Sequence, residues 1–340
     1  MQAEPISGRE PSMFDVARLA GVSHQTVSRV LNEHPNVRDA TRRKVQVAIA
    51  ELGYRPNRAA RALATGRYRT IGVVAARSTL YGPASLLAAV EERAADAGFT
   101  VSVARVRSFD TDVVRGALAQ LLDQRVSAIV AIVPVLSAAE ALDDIASDIP
   151  LVTIDGHVGG RVASVHVDQV GGARLAVTHL LDAGHATVWH VGGPEGWFDA
   201  AGRIDGWSQV LRERGLVPPP VVPGDWSAAS GYQAGLLLGR MPEVTAIFAA
   251  NDPMALGVLH ALHELGRRVP DEVSVAGFDD VPEAAHFIPP LTTVRQDFEA
   301  VARNGLAVLL DQLDDGPAAA VDRIVAPTLA IRASVAPPRS

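Results

Sequence analysis

The stretch GVSHQTVSRVLN, residues 21–32, crowds polar groups into the start of a helix: Ser23, His24, Gln25, Thr26, Ser28 and Arg29 surround Val27, Val30 and Leu31. Packing needs only the three aliphatic side chains. The imidazole, amide, guanidinium and hydroxyls are therefore surplus hydrogen-bonding capacity. A second polar set stands at the ends of apolar runs: Asp155 after LVTI, Asp168 after SVHV, Asn251–Asp252 after TAIFAA and Asp279–Asp280 after VSVAGF. Aspartate at a strand end is commonly a turn former or cap. In a parallel sheet, however, ligands collect at the carboxyl ends of strands, so four such ends together point to a cleft. Covalent and metal chemistry find no support. The chain has no cysteine, and its 10 histidines lack metal-ligand spacing. No H-E-x-x-H, G-x-S-x-G, P-loop or strand-linked G-x-G-x-x-G motif occurs. No catalytic constellation, metal or cofactor is expected.

The elements that must hold these groups change character along the chain. Met13, Val16, Ala17 and Ala20 predict a helix over 13–20 that stops at Gly21. Ser23 is placed to cap a second helix. Val45, Ala48, Ile49 and Leu52 predict a third over 39–52, ending at Gly53. Two short helices joined by a glycine-containing turn, with a third as brace, form a helix-turn-helix arrangement. YRPNRAARALATGRYRT, residues 54–70, has a proline break and about two turns of helix-favouring sequence, too short to be stable alone. From Ile71 the texture becomes IGVVAA, VSVARV, AIVAIV and LVTI, near-continuous runs suited to strands buried on both faces. Helical segments over 84–97, 111–124 and 137–146 separate them. The alternation then repeats, with helices over 170–183, 200–214, 228–239, 253–265 and 297–313. Two successive βαβ series predict two doubly wound parallel lobes.

Charge divides the same way. Residues 1–69 carry 12 Lys+Arg against six Asp+Glu, a balance of +6; with −7 for all 340 residues, the remainder carries −13. A small basic module on a large acidic body is the asymmetry expected of a DNA-binding head with a separate sensing domain. The N-terminal residues do not read as a signal peptide, and no run approaches the roughly 18 apolar residues of a membrane span. A soluble, cytoplasmic protein is expected. A transporter's solute-binding protein would share a two-lobed cleft but predicts a signal peptide and no basic head.

MFDVARLAGVSHQTVSRVLNEHPNVRDATRRKVQVAIAELGYRPN resembles the headpiece of the LacI/GalR family of bacterial transcription regulators. The resemblance continues to about residue 335. GDWSAASGYQ, AANDPMALG and GFDDVPEAAHFIPPLTTVRQDF are similar to its lactose-repressor branch. It implies an all-α headpiece at 1–55, a hinge helix at 56–69 and a two-lobed α/β domain like periplasmic binding proteins at 70–340. The expected lobes are 70–167 with 297–322 and 168–296 with 323–340. His24, Gln25 and Arg29 match base-reading positions, with Gln suited to adenine and Arg to guanine. Ser23, Thr26, Ser28, Asn32 and Thr41 match phosphate contacts. Leu63 matches an apolar minor-groove wedge.

In the sensing domain the resemblance implies that Arg203 clamps sugar hydroxyls, with Asp155, Asn251, Asp279 and Gln296 as polar partners. Trp226 and Phe298 match aromatic walls, and Leu80, Pro83 and Leu86 an apolar one. Packing roles for the aromatics and a structural Arg203–Asp279 pair are the plainer alternatives. The implied function is a repressor of sugar-utilisation genes, released from operator DNA by a small sugar such as a galactoside. Three departures stand out. The lactose-repressor branch has Tyr where His24 stands and Asp where Ala95 stands. At Arg38 the family often has a capping Ser; either Asp39 caps instead or Arg38 adds a phosphate contact. No leucine heptads follow residue 313, so a homodimer rather than a tetramer is expected.

Overall fold

Capping and aliphatic spacing build the first group of elements in a computed structural model that describes residues 11–31, 34, 36–54, 69–77, 79–135, 138–146, 148–156, 162–316 and 321–338. Asn32 and Leu63 lie outside the described residues, as does nearly all of the expected hinge. The chain divides into two compact units, Met1–Tyr68 and Arg69–Ser340.

In the first unit, α1 (Met13–Ala20), α2 (His24–Leu31) and α3 (Asp39–Leu52) pack through Val16, Ala17, Val27, Val30, Val45, Ala48 and Tyr54. The start of α1 is locked reciprocally: Ser12 donates its backbone N–H and its hydroxyl to Asp15 at 2.9 and 2.6 Å. Gly21 turns the chain at φ 65°, the left-handed region that glycine enters without a Cβ clash. Ser23 accepts from the Thr26 N–H at 3.2 Å, capping α2. At α3 the cap position is Arg38, whose side chain makes no cap bond, and Asp39 is the first helical residue. Asp39 therefore does not cap; it sits where its charge meets the helix dipole.

The second unit alternates β1 (Thr70–Ala76), α4 (Tyr81–Asp96), β2 (Thr100–Val106), α5 (Thr111–Asp123), β3 (Ala128–Ile132), α6 (Ala139–Ile145), β4 (Leu151–Ile154) and β5 (Ala163–Val167). It continues with α7 (Gln169–Asp182), β6 (Trp189–Val191), α8 (Phe198–Glu213), α9 (Ala228–Leu238), β7 (Ala246–Ala249), α10 (Asp252–Glu264) and β8 (Ser274–Asp279). A 3-10 turn (Pro282–His286), β9 (Thr292–Arg295), α11 (Phe298–Asp315), β10 (Asp322–Val325) and β11 (Thr328–Ala330) complete it. One sheet has the order β10-β5-β4-β3-β1-β2, the other β11-β9-β8-β7-β6. The first is parallel throughout. Its core joins Ile71, Val73, Val130 and Ile154 to Leu86, Val90, Val301 and Leu309 from α4 and α11.

Three sequence expectations need correction. The last passage between lobes does not fall at 322/323. All of β10 pairs with β5 in the first sheet, and Ser164 donates to Asp322 at 2.6 Å, so the passage follows Val325. DRIV is mostly exposed and lacks the apolar run that would have marked it. The second sheet is not wholly parallel, because β11 re-enters it antiparallel to β9. Finally, α4 starts at Tyr81 rather than 84. Pro83 lies in its first turn, where a missing N–H is harmless.

Candidate functional site

Two surfaces collect the predicted residues, one in each unit. On the headpiece, His24, Gln25 and Arg29 are exposed along α2, while Val27 and Val30 on the opposite side are buried. Ser23 and Thr26 hydroxyls stand 2.9 Å apart, so part of their capacity is spent on the cap. Thr26, Ser28 and Thr41 are half-buried.

In the second unit the polar strand ends separate into two kinds. Asp168 accepts from the Gly171 N–H at 2.7 Å and caps α7. Asp252 accepts from Val281 N–H and the Thr293 hydroxyl at 2.8 and 2.5 Å. Asp280 binds Arg295 and Arg332 at 2.5 and 2.6 Å. These three are structural. Asp155, Asn251 and Asp279 instead line one cleft, together with Leu80, Tyr81, Pro83, Trp197, Asp199, Arg203, Trp226, Gln296 and Phe298. Leu86 is a correction: it is 1% exposed in the first-lobe core and does not line the cleft. Pro83 lies at the open end of the helix, and Leu86, on the same face, lies one turn deeper along its axis.

Arg203 sits at the centre, 2% exposed. Its Nε donates to Gln169 Oε1 at 2.9 Å and one Nη donates to the Ala250 carbonyl. The other Nη is 3.5 Å from Asp199 and 3.7 Å from Asp279. Its guanidinium lies over the Phe278 ring at 3.8 Å and 5.2 Å from the Trp226 ring centre. Gln169 donates to Gln296 at 3.0 Å, and Gln296 donates to Asp279 at 2.7 Å. Three hydrogen bonds link the arginine, two amides and a carboxylate, and the 3.7 Å Arg203–Asp279 ion pair closes the ring. Residues from α7, α8, β8 and the segment joining the lobes share it.

Asn251 does two jobs. Its Oδ1 accepts from Met254 N–H at 2.9 Å, capping α10, and its Nδ2 donates to the Trp226 carbonyl at 3.1 Å. Trp226 is 5% exposed and stands edge-on to Trp197 with ring centres 5.8 Å apart. Phe298 makes the same kind of contact with Tyr81 at 5.9 Å. Trp226 Nε1 is buried with no acceptor among the described residues. The backbone is bent to make this wall: Asp155, Trp226 and Asp279 have φ of 70°, 71° and 113°. Non-glycine residues there cost about 1–3 kcal/mol each, and such strain concentrates at binding sites.

The electrostatics are unbalanced. Three carboxylates, Asp155, Asp199 and Asp279, face a single guanidinium. Burial raises the Asp155 pKa well above the ordinary value, and the neighbouring Asp199 raises it further. Burial also raises Asp199, against the pull of Arg203. Asp279 is pushed up to about 6 by burial, again against Arg203. Oriented acceptors, one planar donor fork and aromatic faces suit a polyhydroxylated ring, whose hydroxyls donate to carboxylates while its C–H face packs on indole. Sequence reasoning missed Tyr81, Gln169, Trp197 and Asp199. Asp199, one helical turn before Arg203, carried a usable signal; Gln169, behind a cap, carried none.

Residues 12–57 match the family model for bacterial regulatory proteins of the lacI family, and 177–335 match the periplasmic binding protein-like domain. The chain is 36% identical over 333 residues to the lactose operon repressor of Escherichia coli (strain K12), covering 97% of this chain and 92% of that one. It is 34% identical over 322 residues to the HTH-type transcriptional regulator CelR of Thermobifida fusca, covering 90% and 92%. Among solved structures it is similar to the lac repressor dimer bound to operator and the anti-inducer ONPF. That likeness has TM-score 0.89 and 35% identity, over 96% of this chain and 100% of that one. A CelR–cellobiose complex gives TM-score 0.70 and 32% identity over 95% and 99%.

Proposed function

Because the chain belongs to the lacI family of bacterial regulatory proteins, we propose that it is a cytoplasmic, dimeric transcriptional repressor that binds operator DNA through α2 and leaves it when a small sugar fills the cleft. One observation carries this reading. A single chain holds both a helix presenting His24, Gln25 and Arg29 to solvent and a cleft organised around buried Arg203.

The residues divide by role. His24, Gln25 and Arg29 read base edges, each good bidentate pair discriminating by about 1–3 kcal/mol. Ser23, Thr26, Ser28, Asn32 and Thr41 hold phosphates and set register. Arg203, Asp155, Asn251, Asp279 and Gln296 take the sugar hydroxyls, Trp226 and Phe298 its apolar faces, and Leu80 and Pro83 the rim. The proposed division is a headpiece at 1–55, a hinge at 56–69 and the sensing domain beyond. A ligand touching both α4 and α8 favours one arrangement of the lobes, and can shift the population only by its differential affinity for the two. Leu63 is the hinge wedge, so Leu63→Ala should lower specific operator affinity about tenfold or more by gel shift and leave sugar affinity nearly intact. The similarity to the lactose operon repressor supports a galactoside as effector.

The reading is tested by gel shift of the full-length protein on genomic fragments flanking its own gene, with and without a panel of galactosides and other neutral sugars. A fragment bound at moderate salt and released by one sugar is the expected result. Failure of every fragment to bind above competitor DNA overturns the reading.

A further inference from the structure

We propose that Phe14 is a positioning residue for base readout: its ring, stacked on the His24 imidazole, holds that side chain in its DNA-reading orientation. The inference rests on the assignment of His24 as a base reader. The two ring centres are 4.6 Å apart and the planes differ by 22°, a stacked pair between the first turn of α1 and the first residue of α2. Phe14 is 69% exposed and is not part of the headpiece core formed by Val16, Val27 and Val45. Burial therefore does not account for a large apolar side chain at this position.

The platform beneath Phe14 is rigid. Asp15, the next residue, takes two bonds from Ser12 and one from Arg18 at 2.5 Å. Gly21 N–H bonds the Arg18 carbonyl and Val22 N–H the Ala17 carbonyl, fixing the turn that sets α2 against α1. Histidine has two rotatable bonds, and at the exposed start of a helix several rotamers are open to it. Stacking occupies one imidazole face and leaves the ring edge, with Nδ1 and Nε2, for hydrogen bonds. Phenylalanine has no donor or acceptor, so it contributes no base code of its own through hydrogen bonds. Its contribution is to restrict His24 before binding, which lowers the ordering cost at the interface. An aromatic pair of this kind is worth about a two- to tenfold bias toward the stacked rotamer.

The test is selection from duplexes randomised across one half-site, using full-length protein without effector at fixed salt, followed by anisotropy titration on single-base variants. His24→Ala should flatten the preference at one or two positions, which identifies its bases. Phe14→Ala should weaken discrimination at those same positions about two- to tenfold and leave those of Gln25 and Arg29 unchanged. Phe14→Tyr, which keeps the ring, should retain the parent preference, whereas Phe14→Leu should not. In the His24→Ala background, Phe14→Ala should add nothing at those positions. Three results overturn the inference: Phe14→Ala with no effect, equal weakening on all sequences, or a preference change that persists without His24, the mark of a direct thymine-methyl contact. If His24→Ala leaves every preference intact, the base-reading assignment fails and the inference falls with it. Circular dichroism of each variant separates these outcomes from unfolding.

Discussion

Replacing Asp279 with asparagine should stabilise the ligand-free protein at neutral pH while weakening its response to sugar. Burial lifts the Asp279 pKa to about 6 although Arg203 pulls it down; in the unfolded chain it returns to the ordinary 3.8. Between those values the folded state holds a proton that the unfolded state has released. Stability from this group is therefore complete below about pH 3.8 and is lost as pH rises through about 6. Above that window the ionised carboxylate costs about 3 kcal/mol relative to the acid form. Asparagine keeps the shape, and its Oδ1 can still accept from Gln296 as Asp279 does at 2.7 Å. Arg203 keeps Asp199 at 3.5 Å. Asp279→Asn should thus exceed the parent by up to about 3 kcal/mol at pH 7.5, about 5 °C or more in Tm for a unit of this size. The gain should shrink toward nil by pH 4. Buried His190, whose pKa is lowered to about 4, loses stability as pH falls from 6.5 in both proteins. The parent–variant difference at each pH cancels His190 and reports Asp279 together with Asp155 and Asp252, whose pKa values its charge raises. Thermal unfolding from pH 4.5 to 8 at fixed protomer concentration measures it. Sugar affinity of the variant should fall about 10- to 100-fold through loss of charge-assisted hydrogen bonds. A parent more stable at pH 7.5, or a difference that does not change with pH, would refute the electrostatic account.

Arg203→Lys keeps the charge but removes the fork that reaches Gln169 and the Ala250 carbonyl together; effector affinity should drop at least about 100-fold while operator affinity stays within threefold, as read by anisotropy with and without sugar. Gly193→Ala would bring a Cβ within 2.2 Å of the Trp226 ring; it should displace that indole, alter tryptophan fluorescence and abolish release by sugar, leaving DNA binding intact. A uronate or phosphosugar should bind at least about tenfold more weakly than its neutral counterpart by calorimetry, because three carboxylates share one guanidinium in the cleft.

Much of this was legible in the sequence because the signals were local. The aliphatic spacing in α2 and α3, the glycines at 21 and 53 and the apolar strand runs each encode their own element. The family motifs then led to Arg203, Asn251 and Asp279. What escaped depends on tertiary placement. DRIV and TLA are short edge strands whose partners lie over 30 residues away, and no alternation marks them. Leu86 and Pro83 are three residues apart on one face of α4, yet one is core and the other rim, a distinction set by how far each lies along the helix axis from the cleft. Gln169 follows a helix cap and becomes functional only when Arg203 and Gln296 arrive from elsewhere in the chain. Asp168 and Asp280 resembled cleft residues by position alone, and their hydrogen bonds assign them to the framework.

The double duty of Asn251 bears on how ligand choice could diverge in this protein. A side chain that both starts α10 and holds the Trp226 carbonyl cannot change to suit a new ligand without a cost in folding of about 1 kcal/mol or more. The linked Arg203, Gln169 and Gln296 are bound by the same restriction, since altering one strands its neighbour. Pro83 on the opposite rim carries no such obligation, and changes in size there cost only packing. Evolutionary drift in specificity is therefore channelled to the α4 side of the cleft, while the α8–α10 side keeps its linked donors and acceptors in place.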